Sequence, residues 1–403
     1  MGNTNISKED REDLLKQAKR HIFSLGMGDM GSALCRVNMK YGLAKIHWMQ
    51  EELGMEPNAT FISGPDETIS RNAQRWEGGI GYGGKISWGE GNENVFVLDV
   101  LPNTCGMLVG GLNELPSYEK LIRRIHEVLK ENVEIDGIPI EWDFGKGNHF
   151  IDLFKVRKLD GSNLPPYAFL IHSGNQELKG DNPKGFGLYY YKSKLLQEIS
   201  ECISTPFGDL HILLDKDVEA YWKFYIYADS FSKKRRQIAA KEIFDDFVEI
   251  ENVTHQGLLN KNEVLLGVNN SLEDSLLPIG TRAGLPSFLV TGKENLSEEN
   301  IENLGFTRRS QELGVYHRLK SVNIVPHGTG YTFPEFLSVL EVKEIEGKRY
   351  FIVDMQNAVG QKIIENPREI PYTFRGQAVI LRSVELGLCD ITARLLPEYV
   401  VKV

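Results

Sequence analysis

The chain has 403 residues, 41% of them hydrophobic and 25% charged, with a formal net charge of −10. That length accommodates one large domain or two to three average ones, and the composition is that of an ordinary globular protein. The acidic balance argues against a general nucleic-acid coat, and no apolar run approaches the ~18 residues of a membrane helix. The start, "MGNTNISKEDRED", is polar and acidic where a secretory signal needs a basic and then an apolar stretch, so a cytoplasmic protein is expected. Gly2 suits myristoylation, but Ile6 stands where that signal needs Ser or Thr. Cys35, Cys105, Cys202 and Cys389 are spread too widely for a disulfide framework or a C-x-x-C metal pair.

"SKEDREDLLKQAKRHIFSLG" predicts a helix with Ser7 as N-cap, acids in its first turn and basic residues toward Gly26. Residues 60–92 are glycine-dense. The spacing in "GGIGYGGKISWGEG" fits neither a phosphate loop nor a dinucleotide fingerprint, and it reads as looping hairpin backbone. "NVFVLDVL" reads as a buried strand running toward Cys105. "SYEKLIRRIHEVLKEN" predicts an amphipathic helix with His126 on its face, "YAFLIHSG" a strand ending in His172-Ser173-Gly174, and "LYYYKSKLLQEISECI" a helix. The longest helix is expected over 216–248, where Val218, Trp222, Tyr225, Ile238, Phe244 and Val248 keep near-helical spacing. "SFLVTG" and "SVNIVPHGTG" read as strands breaking into glycine turns, and "LSVLEVKEIEGKRYFIVDM" as a hairpin around Glu346-Gly347-Lys348. Helices and strands interleave without the alternation of a doubly wound sheet, which predicts one large α+β domain. "KKRR" at 233–236 and "TRR" at 307–309 are where a local basic groove would form, although solvated faces are the commoner origin of such runs.

Four of the nine histidines share one setting: "GNHF" (His149), "LIHSG" (His172), "VTHQG" (His255) and "VPHGTG" (His327). Each lies in or beside a glycine turn, where side chains and backbone amides converge on a ligand at little steric cost. Cys105, in "PNTCGM", has the same setting. A single histidine beside a glycine is ordinarily a surface turn residue; five such positions together point to metal chemistry. Thiolate and imidazole donors suit zinc, manganese or iron, and a mixed set with an open position suits catalysis. His21, His47, His126, His211 and His317 lack this context and read as packing or surface residues.

"GKGNHFIDL", "LIHSG", "VTHQG", "LPIGTRAGLPSFLVTG" and "PHGTG" follow one another in that order. The chain thereby resembles a divergent member of the RtcB family of RNA-splicing ligases, whose patterns run close to G-G-G-N-H-F-I-E, H-S-G-S-R-G, P-G-S-M-G and H-G-A-G-R. Cys105 resembles that family's D-x-x-C-G cysteine, and "YVVKV" its closing lysine strand. The similarity spans roughly residues 76–403, leaving 1–75 as an N-terminal helical or irregular segment packed on the domain. The resemblance implies a single compact α+β domain with a central metal-containing cleft. It also implies a manganese- and GTP-dependent ligase joining RNA 2',3'-cyclic phosphate or 3'-phosphate ends to 5'-hydroxyl ends. His327 would be the nucleophile that carries GMP. Cys105, His149, His172 and His255 would hold one or two Mn2+ ions, with the thiolate as bridge. Asn148 would bond phosphate, Asp152 and Lys402 would read the guanine, and Thr329 would line its pocket.

The departures fall mainly on the substrate side. The acid expected three residues before the cysteine is Pro102, and Asp99 would serve as metal ligand only with a local insertion. "HSGNQELKG" lacks the family's arginine, leaving Lys179 as a point charge; "LLGVNNS" carries no cation; Arg282 in "PIGTRAG" restores one; and Tyr331 replaces the last arginine. Three functions follow in order of expectation: an RtcB-type ligase, a non-catalytic protein that binds metal and RNA ends, and a metal-dependent phosphoesterase.

Overall fold

The computed structural model describes residues 6–401 apart from 160, 273–275 and 357–358. Its organising element is a seven-stranded sheet in the order Val248–Gln256, Cys105–Leu112, Tyr167–Ser173, Phe150–Lys158, Cys389–Val401, Ser287–Gly292 and Leu276–Ile279. Every neighbouring pair is antiparallel. The register pairs Cys105 with Gln256, Gly106 with Ser173, and His172 with both Met107 and Phe150. In an antiparallel ladder the end of one strand faces the start of the next. The finish of the Val248 strand, the start of the Cys105 strand, the finish of the Tyr167 strand and the start of the Phe150 strand therefore lie at one end of four adjacent strands. His255, Cys105, His172 and His149 occupy those termini.

A second sheet runs Ile22–Ser24, Thr60–Ile69, Gly81–Ser87, Glu263–Leu266 and Leu258–Asn260. Its Thr60 strand is buried throughout. The described part of the N-terminal segment, 6–75, thus supplies an inner strand of this sheet together with the largely buried helix Met30–Glu52, and the chain forms one large α+β domain. Between the Thr60 and Gly81 strands the glycine-rich stretch folds into the short helix Ala73–Gly78, so the expected hairpin exists with a helical turn in it. Among the described residues no helix is long and apolar enough to cross a membrane.

The helix Asp215–Ile243 has 29 residues and, at ~1.5 Å per residue, crosses most of the domain. Val218, Tyr221, Tyr225, Ala228, Phe231, Ser232, Arg235, Ala239 and Ile243 form its buried stripe at three- and four-residue spacing. The helix stops earlier than expected: Phe244 caps it, and Val248 begins the outermost strand of the large sheet. Ser7 caps Lys8–Arg20 by accepting from the Asp10 N–H, as the sequence predicts.

Two sequence expectations are corrected. The helix in "LYYYKSKLLQEISECI" is only Lys194–Ile199. Ser193 accepts from the Leu196 N–H and Asp181 from those of Lys194 and Leu195, so the helix start is fixed here and Tyr189–Tyr191 lie outside it. Glu201–Thr205, beyond it, pairs as a strand with Gly208–Leu214. "NVFVLDVL" is a strand only over Val95–Val97, followed by a 3-10 turn at Leu98–Val100. Cys105 consequently opens a strand instead of following one.

Gly106 lies where the large sheet meets the long helix. A Cβ there would stand 2.2 Å from the Val253 carbonyl oxygen and 2.7 Å from a terminal nitrogen of Arg236. The first obstacle is backbone within a ladder, and the second is a buried guanidinium. Gly106→Ala is expected to destabilise the fold by about 1–3 kcal/mol or more, seen as a lower midpoint of chemical unfolding.

Candidate metal centre

The turn before Cys105 is fixed by the strand that carries His255. The backbone carbonyl of Gln256 accepts from the Asn103 and Thr104 N–H groups, and the Asn103 side chain accepts from the Cys105 N–H at 2.9 Å. Leu101 and Thr104 both have left-handed backbone, with φ of 51° and 52°. The Cys105 Sγ stands 3.1 Å from His172 Nε2 and 3.7 Å from His149 Nε2, and the Nε2 atoms of His172 and His255 are 3.2 Å apart. Ligand atoms of Cys105, His172 and His255 all lie within 4.8 Å of one another, and all three residues are buried. Two ligands ~2.0–2.3 Å from one ion and 90–110° apart are separated by roughly 2.9–3.6 Å, so the measured spacings suit a shared divalent cation.

Hydrogen bonds on the far side of two rings fix which nitrogen is free. His172 Nδ1 donates to the Asn148 carbonyl at 2.8 Å; because a carbonyl only accepts, Nε2 keeps its lone pair when the ring is neutral. His149 Nδ1 lies 2.5 Å from the Asp143 carboxylate. The turn between these two residues closes through left-handed Gly145 and Gly147, with φ of 77° and 64°, and through the His149 N–H donating to the Lys146 carbonyl. Those glycines bring Asp143 back onto the ring six positions later. Asp143 also accepts from Arg235 at 2.9 Å, and Arg235 reaches Glu177, the Gly174 carbonyl and the Glu141 carbonyl. The long helix is thereby tied to the loops that bear His149 and His172.

Electrostatics follow from that arrangement. Burial disfavours ionised Cys105, but the charge of His172 and hydrogen bonds from the surrounding imidazoles outweigh it and hold the thiol well below its usual range. Burial, with the nearby charge of His327, pushes His255 well down and keeps it neutral. His149 is opposed by burial yet raised to about 9 by Asp143 and Cys105. Burial likewise opposes ionised Asp143, but His149 and Arg235 bring it to about 2. Thiolate Cys105 and neutral His255 are in the protonation states that bind a cation, whereas His149 would have to release a proton to do so.

His327 adjoins this group. It follows the strand Ile324–Pro326, its ring centroid is 4.1 Å from that of His255, and its side chain is 11% exposed. Its Nδ1 donates to the Gly267 carbonyl, which leaves the Nε2 lone pair free. The Asp66 carboxylate is 3.7 Å from the same Nδ1. The Gly280 N–H donates to the His327 carbonyl at 2.8 Å, so the "PIGTRAG" segment abuts this turn, with Arg282 exposed two residues on. Thr329 is buried, and its hydroxyl has no partner among the described residues.

Other sequence candidates lie elsewhere or are partly placed. Asp99 does not join the cluster: its carboxylate accepts from the His211 N–H at 2.7 Å and lies 3.4 Å from that ring's Nδ1. The 3-10 turn and the left-handed Leu101 separate it from Cys105, and among the described residues no carboxylate joins the Cys105–His172–His255 group. Asn148 is exposed and contributes its carbonyl to His172. Asp152 is buried in the Phe150 strand, paired with Leu170 and Val400; Lys402 lies outside the described residues. Lys179 donates to Gln176 at 2.9 Å, and burial lowers its pKa while the Cys105 charge pulls it up.

The two basic runs are only partly outward-facing: Lys233 and Lys234 line an open surface hollow with Lys241, while the rest are buried or paired. Arg235 and Arg236 are fully buried, and Arg236 donates to the Asn252 side chain. Arg308 pairs with Glu312, and Arg309 packs over Phe23. Sequence reasoning also missed Asp143, Asp66, Arg235 and the Gly267 carbonyl. Of these only Asp143 left a signal, as an acid just before a turn with two glycines ahead of a candidate ligand.

No protein-family model matches the chain, and no curated protein matches it.

Purified protein loaded with Co2+ is expected to bind the ion and show thiolate charge-transfer absorption. Cys105→Ser should abolish that band and weaken affinity by more than about 100-fold, beyond the loss typical for an outer-shell change. Asp143 makes a separate pH prediction. Its folded pKa is depressed, so its contribution is present above the unfolded value near 3.8 and is lost as pH falls toward about 2. Wild type should lose about 2 kcal/mol more than Asp143→Asn between pH 5 and pH 2, as measured by chemical unfolding at each pH.

Proposed function

We propose that this protein is an RNA ligase of the RtcB type that joins 3'-phosphate or 2',3'-cyclic phosphate ends to 5'-hydroxyl ends, using GTP and divalent manganese. The observation that carries the reading is His327 beside the Cys105–His172–His255 group, with Nδ1 held by the Gly267 carbonyl and Nε2 free. A nitrogen nucleophile needs that lone pair and a neutral ring. In the proposed reaction Nε2 of His327 bonds to the α-phosphorus of GTP as the bond to the bridging oxygen breaks and pyrophosphate departs. A 2',3'-cyclic end is first opened by water, the P–O2' bond breaking and O2' taking a proton, and GMP then passes from the histidine to an oxygen of the resulting RNA 3'-phosphate. The 5'-hydroxyl of the second end then attacks that phosphorus, loses its proton and displaces GMP.

Cys105, His172 and His255 would hold the cation, and His149, 3.7 Å from the same sulfur, would join them on giving up its proton. Bound there, it would supply Lewis-acid polarisation of phosphoryl oxygens. Asp143 and the Asn148 carbonyl keep His149 and His172 oriented, and the Gly267 carbonyl holds the proton at His327 Nδ1. Asp152, Thr329 and Lys402 are the residues assigned to the nucleotide.

A second reading, a protein that binds metal and RNA ends without catalysis, is favoured by the engagement of Asp99 with His211, which leaves the described cluster without a carboxylate. One experiment separates the two. Protein incubated with Mn2+ and GTP labelled at the α-phosphate is expected to acquire an acid-labile label that His327→Ala abolishes. A protein that holds manganese stoichiometrically yet acquires no label from GTP or ATP is not the ligase, and hydrolysis of a phosphoester by it would then separate an esterase from the binding protein.

A further inference from the structure

Tyr372 and Phe374 are each 40% exposed, with ring centroids 5.5 Å apart at 85°. Tyr331 completes the group, 5.0 Å from Tyr372 and 6.3 Å from Phe374. The Arg71 guanidinium lies 4.4 Å from the centroid of the Tyr372 ring. Arg71 donates to the Arg368 carbonyl at 2.8 Å, and Arg368 returns a bond to the Arg71 carbonyl at 3.1 Å. Backbone thus positions both cations, and among the described residues neither forms an ion pair with a carboxylate. Isolated exposed aromatics are ordinary, but partly exposed rings in mutual contact and capped by an unneutralised guanidinium are the parts that hold unpaired bases and their phosphates.

The location strengthens the case. Tyr331 and Thr332 pair with Phe374 and Thr373, and the Arg375 N–H donates to the Gly330 carbonyl. Arg375 anchors the segment further through two 2.7 Å bonds to Asp29 and one to the Glu67 carbonyl. The Tyr331 hydroxyl donates to the Ile69 carbonyl, and its own carbonyl accepts from Thr68. The aromatic group is therefore fixed to the turn that carries His327. Tyr331 is four positions after His327, so their Cα atoms are at most ~14 Å apart at ~3.3–3.6 Å per residue.

We propose that Tyr372 and Phe374, with Arg71 and Arg368 beside them, are a stacking platform for the unpaired bases of a single-stranded RNA end that leads into the His327 turn. The chemistry of that end rests on the ligase reading; the surface itself does not. A strand with exposed bases suits the rings, and its phosphates suit cations that have no carboxylate partner.

The full chain, loaded with Mn2+, is titrated into a fluorescent single-stranded oligouridylate of roughly eight nucleotides with a 3'-phosphate, within the range of known single-strand site sizes. The Tyr372→Ala, Phe374→Ala double variant is expected to bind about 10- to 100-fold more weakly while keeping its melting temperature and metal content, whereas Tyr372→Phe stays close to wild type. In parallel, photo-crosslinking of a 5-iodouridine oligonucleotide to wild type should label Tyr372 or Phe374, a readout that needs no variant to fold. Unchanged affinity in the double variant, cross-links confined to other regions, equal affinity for a duplex of the same length, or no binding at low salt would each overturn the proposal. A cross-link at these rings without a nucleotide label on His327 refutes the ligase reading alone. The label without the cross-link refutes the platform alone.

Discussion

The antiparallel register of four adjacent strands is the constraint on which the candidate centre depends. Hydrogen bonding between the Val248, Cys105, Tyr167 and Phe150 strands puts two strand ends and two strand starts at the same edge. Side chains more than a hundred positions apart along the chain, such as Cys105 and His255, are then neighbours by geometry. A slip of one residue in any of these ladders would turn a donor to the opposite face of the sheet, so register and donor set stand or fall together. Rigid strands carry each donor at the point where the chain leaves the sheet, which combines fixed position with room for a ligand.

A buried thiolate among imidazoles needs its charge managed, and the long helix does part of this from behind. Arg235 is inside the protein, paired with Asp143 and Glu177, and Asp143 in turn holds His149. A buried ion pair is a costly way to gain stability, because removing both groups from water offsets most of their attraction. Here the pair orients a ring that faces sulfur. The arrangement makes sense as a device for position, with any stabilisation secondary. Arg236, one residue on, packs against the close approach at Gly106.

The general architecture and the residue types at the centre were readable in the sequence because both leave local marks. Ser7 before an acidic turn caps a helix where expected, and apolar residues at helical spacing mark the long helix. Histidines at glycine-flanked strand ends do come together as His172 and His255 with Cys105. What failed depended on dihedrals or distant partners. Asp99 is only six positions from Cys105, yet a 3-10 turn and left-handed residues carry it to His211, itself read as a packing residue. The basic run at 233–236 resembles a surface patch until the helix is seen to face Arg235 and Arg236 inward. No local pattern announces that Asp66 approaches His327, since their proximity arises from the packing of two segments more than two hundred residues apart.

Gly267 joins the two halves of the centre through a single residue. Its N–H donates to the carbonyl of His255, and its own carbonyl accepts from Nδ1 of His327. Those two contacts make the ring that would grip a cation and the ring that would attack phosphorus lean on one residue. The N–H and the carbonyl belong to different peptide planes joined by the glycine's own dihedrals, with φ of 75°, so a side chain at this position would strain the backbone on which both rings lean.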